Sequence, residues 1–179
     1  MIIGLLGHKE SGKTTIANYL IQYQFIKISF SDPLKQICKI LFQFTDQQLY
    51  GNDKEIVDST WNVSPRTIMQ YIGTNIFRNQ MGIIPNINDN FWVKLFELNV
   101  NQLNKSKNLV IDDIRFQNEI DKIIELKGIV IKITRPHNNF DNHISEVGID
   151  NLSGSYEINN DGTLSDLYKK IDKIIAKLN

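Results

Sequence analysis

The sequence predicts an α/β fold of three layers, a parallel five-stranded sheet flanked by helices, with small inserts. Three observations predict it. Short apolar runs alternate with segments of helical periodicity, the pattern of successive strand–helix units. A glycine-rich turn, Gly7-His8-Lys9-Glu10-Ser11-Gly12-Lys13-Thr14, lies between the first apolar run and the first helical segment. A later apolar run over 108–111 ends in two acids, Asp112 and Asp113.

Residues 2–6 read as a buried parallel strand, because every side chain but Gly4 is aliphatic. A helix over 14–23 follows, with Ile16, Ala17 and Leu20 on one face. Residues 25–30 form the second strand. Ser31-Asp32-Pro33 then supplies a capping residue and a first-turn proline for a helix carrying Leu34, Ile37, Cys38 and Leu41. Residues 44–64 are the least regular. Ser64-Pro65 starts another helix, with Ile68, Met69, Ile72 and Ile76 at helical spacing. A loop over 85–90 precedes a helix over 91–103. After the strand that ends in Asp112 and Asp113, a helix covers 119–126 with Gly128 at its C-terminal cap, and 129–134 is the next strand. Residues 135–154 are polar and loop-like, 155–158 form a short last strand, and an amphipathic helix over 163–178 closes the chain. The expectation is one domain over 1–179, with inserts at about 32–80 and 135–154.

Composition narrows the function classes. Lysine plus arginine and aspartate plus glutamate balance at 20 each, so no general grip on polymeric nucleic acid is written into the net charge. Cys38 is the single cysteine and has no internal disulfide partner. Its helical spacing marks it as a core residue. A reducing, intracellular setting is expected. No apolar run approaches the ~20 residues that span a bilayer. The apolar start lacks a basic region and a small-residue cleavage site, so it is not expected to be a signal peptide. His8, His137 and His143 lack metal-ligand spacing.

The glycine-rich turn carries the chemistry. Backbone N–H groups of such a turn point inward at phosphate oxygens, and the following helix adds its partial positive charge. Lys13 is placed to reach β- and γ-phosphates, and Thr14 to hold Mg²⁺ through its hydroxyl. An acid at the carboxyl end of a neighbouring strand belongs on the same side, since open α/β sheets bind ligands there. Spacing does not decide between Asp112 and Asp113, because strand neighbours face opposite ways. Lys9, Lys35, Arg66, Arg78, Arg115 and Arg135 lie in or near loops and helix starts and are candidate anion contacts. Trp92 is open to two readings, base stacking or helix core, and Gln70 is a candidate reader of a base edge. The segment Asn104-Lys105-Ser106-Lys107 only superficially resembles a guanine-specificity sequence.

Several segments together resemble one family, the deoxynucleoside monophosphate kinases of phages and large DNA viruses. They are residues 7–15; Phe30-Ser31-Asp32-Pro33-Leu34-Lys35; Ser64-Pro65-Arg66 with Gln70-Tyr71-Ile72-Gly73-Thr74; Phe91-Trp92-Val93; residues 112–119; Thr134-Arg135-Pro136; Ser145-Glu146; and residues 158–162. The resemblance covers nearly the whole chain, which is short between Leu34 and Ser64 for the family. It implies a P-loop fold, Mg-ATP as donor, a deoxynucleoside 5′-monophosphate as acceptor, and a place in dNTP supply. It implies that Gly7, Ser11, Gly12, Lys13, Thr14 and Thr15 hold ATP. Lys9, Lys35, Arg66, Gln70, Gly73, Thr74, Trp92, Arg115 and Glu119 would line the acceptor site. Lys13, Arg115, Arg135 and Asp113 would act in the transfer, Thr14 and Asp113 at the metal, and Arg135 would begin a lid over 135–154. A homodimer is left open, and a viral chain would work in the host cytoplasm. Two alternatives stand beside this reading: a kinase of another small phosphate, similar to the phosphomevalonate kinases, and a non-catalytic nucleotide switch.

Overall fold

The computed structural model describes residues 1–84, 87, 90–103, 107–136 and 147–178. Most of the expected 85–90 loop lies outside them, as do Asn104, Lys105 and Ser106, and His137, His143, Ser145 and Glu146 within the 135–154 segment. The chain divides into two compact units, Met1–Ser29 with Asn99–Asn179, and Phe30–Leu98. The second is longer than the expected 32–80 insert because the start of a later helix supplies part of its core.

The first unit holds the sheet. Its strands are β1 (Ile2–Leu6), β2 (Phe25–Ile28), β3 (Asn108–Ile114), β4 (Ile129–Thr134) and β5 (Tyr156–Asn159). All pairings are parallel, in the order β2-β3-β1-β4-β5. β1 is central and covered on both faces, which is why its sequence is a continuous apolar run. β2 ends two residues before the expected position, and β3 runs on past the two acids to Ile114.

The helices are α1 (Lys13–Ile21), α2 (Asp32–Phe42), α3 (Asp46–Leu49), α4 (Pro65–Gln70), α5 (Phe91–Gln102), α6 (Gln117–Glu125) and α7 (Leu164–Ile175). Ile16, Ala17 and Leu20 of α1 and Leu167, Ile171 and Ile174 of α7 share one core with Ile3 and Leu5 of β1. α7 starts with a reciprocal cap: Thr163 Oγ1 accepts from the Asp166 N–H, and Asp166 Oδ2 accepts from the Thr163 N–H. α6 packs against β1 and β4.

Gly128 was expected to cap α6, and the structure corrects this. The left-handed position is Lys127, at φ 60°. The Gly128 N–H donates to Ile123 O and the Lys127 N–H to Ile124 O, at 2.8 and 2.9 Å, which is a Schellman closure with lysine in the glycine seat. Gly128 is small for another reason: a Cβ there would lie 2.9 Å from Ile2 Cβ and Ile2 O. Lys127 is exposed, so Lys127→Gly is expected to stabilise the fold by about 0.5–1 kcal/mol, a rise in Tm of about 2–3 °C by calorimetry.

The second unit has its own core of Leu34, Cys38, Phe44, Leu49, Ile72 and Trp92. Cys38 sits in that core as expected, and burial pushes its thiol up to about 11. The stretch expected to be irregular contains α3, capped by Thr45 and Gln48 in a reciprocal box, and a 3-10 turn, Asn52–Glu55. These elements are set by side-chain caps, which leave little hydrophobic periodicity to read. Ser64 caps α4 as expected, accepting from the Thr67 N–H at 3.2 Å. Ser31 makes no such bond to α2, because its own backbone is already helical. α4 widens into a π-helix, Tyr71–Gln80. Among the described residues no helix is long and apolar enough to cross a membrane.

Candidate active site

The glycine-rich loop leaves the carboxyl end of the central strand and enters α1, as the sequence predicts. Gly12 is the hinge of that turn, with φ 109° and ψ 6°. A side chain there would be strained, and a Cβ would lie 2.7 Å from Asn160 Nδ2. Asn160 is a residue that sequence reasoning missed as a site residue, although it lies within the 158–162 segment of the resemblance. Its Nδ2 donates to Ser11 O at 2.9 Å while its N–H donates to Thr134 O at 2.7 Å, so the loop is tied to the end of β4. The available signal was the Asn160-Asp161-Gly162 run directly after β5, at the same sheet end as the loop.

Lys13 is 7% exposed, and its ammonium donates to Gly7 O at 2.7 Å and to His8 O at 2.5 Å. The Ser11 hydroxyl is buried without a hydrogen-bond partner among the described residues. Buried hydroxyls are normally paired, so this one suits a ligand oxygen. A buried ammonium, an unsatisfied hydroxyl and a left-handed glycine in one loop fit a bound phosphate chain.

The acid beside this loop is Asp112. Its Oδ2 accepts from Thr14 Oγ1 at 3.2 Å and lies 2.7 Å from Lys27 Nζ, while Ser29 Oγ donates to Oδ1 at 3.5 Å. Of the two acids that spacing leaves open, the structure places Asp112 beside Thr14, whereas the resemblance implied Asp113 for the metal. The cause is a slip in register: Gly4 pairs with Ile111 but Leu6 pairs with Ile114, so β3 carries one extra residue at the two acids. Such a bulge re-aims side chains that simple alternation would assign. Thr14 and Asp112 form a hard oxygen pair that suits Mg²⁺, which is usually held by one or two protein oxygens together with substrate phosphates. Among the described residues no group of three or more His, Cys, Asp or Glu side chains could hold a metal on its own.

Arg115 reaches the same loop, its Nη1 donating to Gly7 O at 2.9 Å. Glu119 is buried, and its Oε2 accepts from the N–H groups of Arg115 and Phe116 at 2.8 and 3.2 Å. It thereby fixes the backbone that carries Arg115. Arg135 makes a long 3.5 Å contact with Glu10 O, and Lys9 is exposed on the loop beside it. Thr15 follows Thr14 on the first turn of α1 and is half-buried.

The remaining expected residues lie in the second unit. Lys35 Nζ stands 3.7 Å from Asp32 Oδ1 and 4.7 Å above the Tyr50 ring. Arg66 Nε is 3.5 Å from Glu55 Oε1. Gln70 is half-buried, and Gly73, Thr74 and Arg78 are buried in the π-helix. Of the two readings open for Trp92, the packing favours the helix core. Stacking on a base needs an open ring face, but Trp92 is 5% exposed and packed among Phe77 and Phe91. Its Nε1 donates to Gly73 O at 2.8 Å, so it braces the π-helix.

A parallel β2-β3-β1-β4-β5 sheet with a phosphate loop between its central strand and α1 defines a P-loop nucleotide-binding fold. Solved structures share it, two of them as follows. Dephospho-CoA kinase from Campylobacter jejuni aligns over 99% of this chain and 96% of its own, with TM-score 0.55 and 16% identity. TT1252 from Thermus thermophilus aligns over 100% and 98%, with TM-score 0.52 and 14% identity. The family model for deoxynucleotide monophosphate kinase matches residues 42–171, and the chain belongs to that family. A protein of Acanthamoeba polyphaga mimivirus, provisionally named a deoxynucleotide monophosphate kinase, is 43% identical over 96% of this chain and 94% of its own. The deoxynucleotide monophosphate kinases of Enterobacteria phage T4 and Escherichia phage RB69 are 31% and 33% identical over 68% and 66% of this chain. The chain spans about half the length of those two, 48% and 47%.

Proposed function

We propose that this chain transfers the γ-phosphate of Mg-ATP to a deoxynucleoside 5′-monophosphate, giving ADP and the deoxynucleoside diphosphate, and so feeds dNTP supply. The observation that carries the proposal is the loop itself. Lys13 is held inside it, with the Thr14–Asp112 pair alongside. The names of its relatives supply the acceptor class.

In this reading the loop N–H groups, Ser11, Thr15 and Lys13 bind the ATP phosphates, and Lys13 exchanges its two carbonyl partners for phosphate oxygens. Thr14 and Asp112 would hold Mg²⁺, which neutralises phosphate charge when bound. Lys35, Arg66, Gln70 and Lys9 are the residues this reading assigns to the acceptor. Gly73, Thr74 and Trp92 shape the π-helix on which Gln70 borders. An oxygen of the acceptor phosphate attacks the γ-phosphorus in line, and the bond to the β-bridging oxygen breaks. The attacking phosphate is already ionised, so no general base is needed. Lys13, Arg115 and Arg135 stabilise the charge spread over the group in transfer, and Glu119 keeps Arg115 in place.

The test is ADP release from Mg-ATP across a panel of nucleoside monophosphates. At least one deoxynucleotide is expected to raise turnover about 100-fold or more over ATP alone. A panel in which none stimulates release would overturn the proposal.

A further inference from the structure

The stems of the 135–154 segment hold an arrangement that the transfer chemistry does not use. His8, the residue after Gly7 in the phosphate loop, meets Asp150: Nε2 and Oδ1 are 2.7 Å apart. Asp150 belongs to a 3-10 turn, Ile149–Asn151. That turn is anchored. The Ile149 side chain is fully enclosed, and Lys132 Nζ donates to Asp150 O at 3.0 Å and to Leu152 O at 2.6 Å. The Asp150 carboxylate is itself 74% exposed, yet it is presented by a fixed piece of backbone. On the other side, His8 O is one of the two carbonyls that hold the Lys13 ammonium. The outgoing stem reaches the loop as well, through the contact of Arg135 with Glu10 O.

We propose that Asp150 and His8 are a positioning pair for ATP. Asp150 fixes the His8 ring, and the His8 backbone with it, so that the carbonyl holding Lys13 and the neighbouring N–H groups keep the conformation that receives phosphates. Neither side chain touches the reacting atoms. An ordinary exposed ion pair is screened by solvent and contributes little. This one differs because one partner stands on an anchored turn and the other shares its backbone with Lys13. The inference rests on the donor role proposed for the loop.

Wild type, His8→Ala, Asp150→Ala, Asp150→Asn and the double alanine variant are titrated with Mg-ADP by calorimetry, alongside melting temperature and the KM of each substrate. Each single alanine variant is expected to weaken nucleotide binding about three- to tenfold, and the double variant no more than the weaker single. Asp150→Asn keeps an acceptor oxygen and should bind closer to wild type than Asp150→Ala does. The acceptor KM should not move. Single variants that bind within about twofold of wild type, or a double variant whose losses multiply, overturn the positioning role. A purely structural contact would lower the melting temperature without this shared loss of affinity. Wild type that does not bind Mg-ADP would instead remove the donor role of the loop.

Discussion

Lys13→Met is expected to lower kcat by about 10³-fold at saturating substrates, with little change in melting temperature. Methionine keeps the length and apolar stem of the lysine, so the buried path between α1 and the loop stays filled. Gly7 O retains a donor in Arg115 Nη1 when the ammonium is gone. What is lost is the charge aimed at the group in transfer, which has no substitute in water of the same orientation. The measurement is steady-state turnover with the best acceptor, beside a thermal melt. A variant that keeps more than about a tenth of wild-type kcat would contradict the role given to Lys13.

The second large effect separates two neighbouring acids. Asp112→Asn is expected to lower turnover by about 100-fold or more and to raise the Mg²⁺ concentration needed for half-maximal rate. Asp113→Asn should change both by less than about fivefold. The contrast follows from the contacts: Asp112 shares its carboxylate with Thr14, the residue proposed to hold Mg²⁺, and with Lys27. Lys27 is a third exposed, so leaving it without that carboxylate has only a small effect on stability. Equal melting temperatures for the two variants would keep the comparison clean. If Asp113→Asn proves the more damaging of the two, the bulge has been misassigned and Asp113 faces the metal.

These two residues also mark where sequence reasoning succeeds and where it stops. Lys13 was legible because its chemistry is local: a strand, a glycine-rich turn and a helix are contiguous in the chain, and their order alone places the ammonium. β1, β3 and β4 were legible for the same reason, each being built on a short apolar run. Asp112 and Asp113 were not separable, because the parity of a strand is reset by one extra residue whose only trace is the pairing with β1. Asn160 was hidden because its partner, Ser11, is 149 residues away. Trp92 left two readings open, and only the packing of Phe77 and Phe91 around it decided for the core. Lys127 misled in the opposite direction, since the glycine next to it offered the expected signature for a different physical reason. The acids and bases of the second unit remain the least legible, because an arginine such as Arg66 reads the same on paper whether or not a carboxylate like that of Glu55 stands beside it.

The order of the sheet has a consequence for how the protein behaves when it is abundant. β2 and β5 are its two borders, and each is only four residues long. Each border also carries a charge in its middle, Lys27 on one and Glu157 on the other. An unpaired border is a template on which another extended chain can continue the hydrogen-bond ladder. Here the template is too short to hold a second strand firmly, and a copy that tried to extend either border would have to bring its backbone past an ionised side chain. Both borders are thus short and charged, two features that disfavour continuation of the ladder by a second chain.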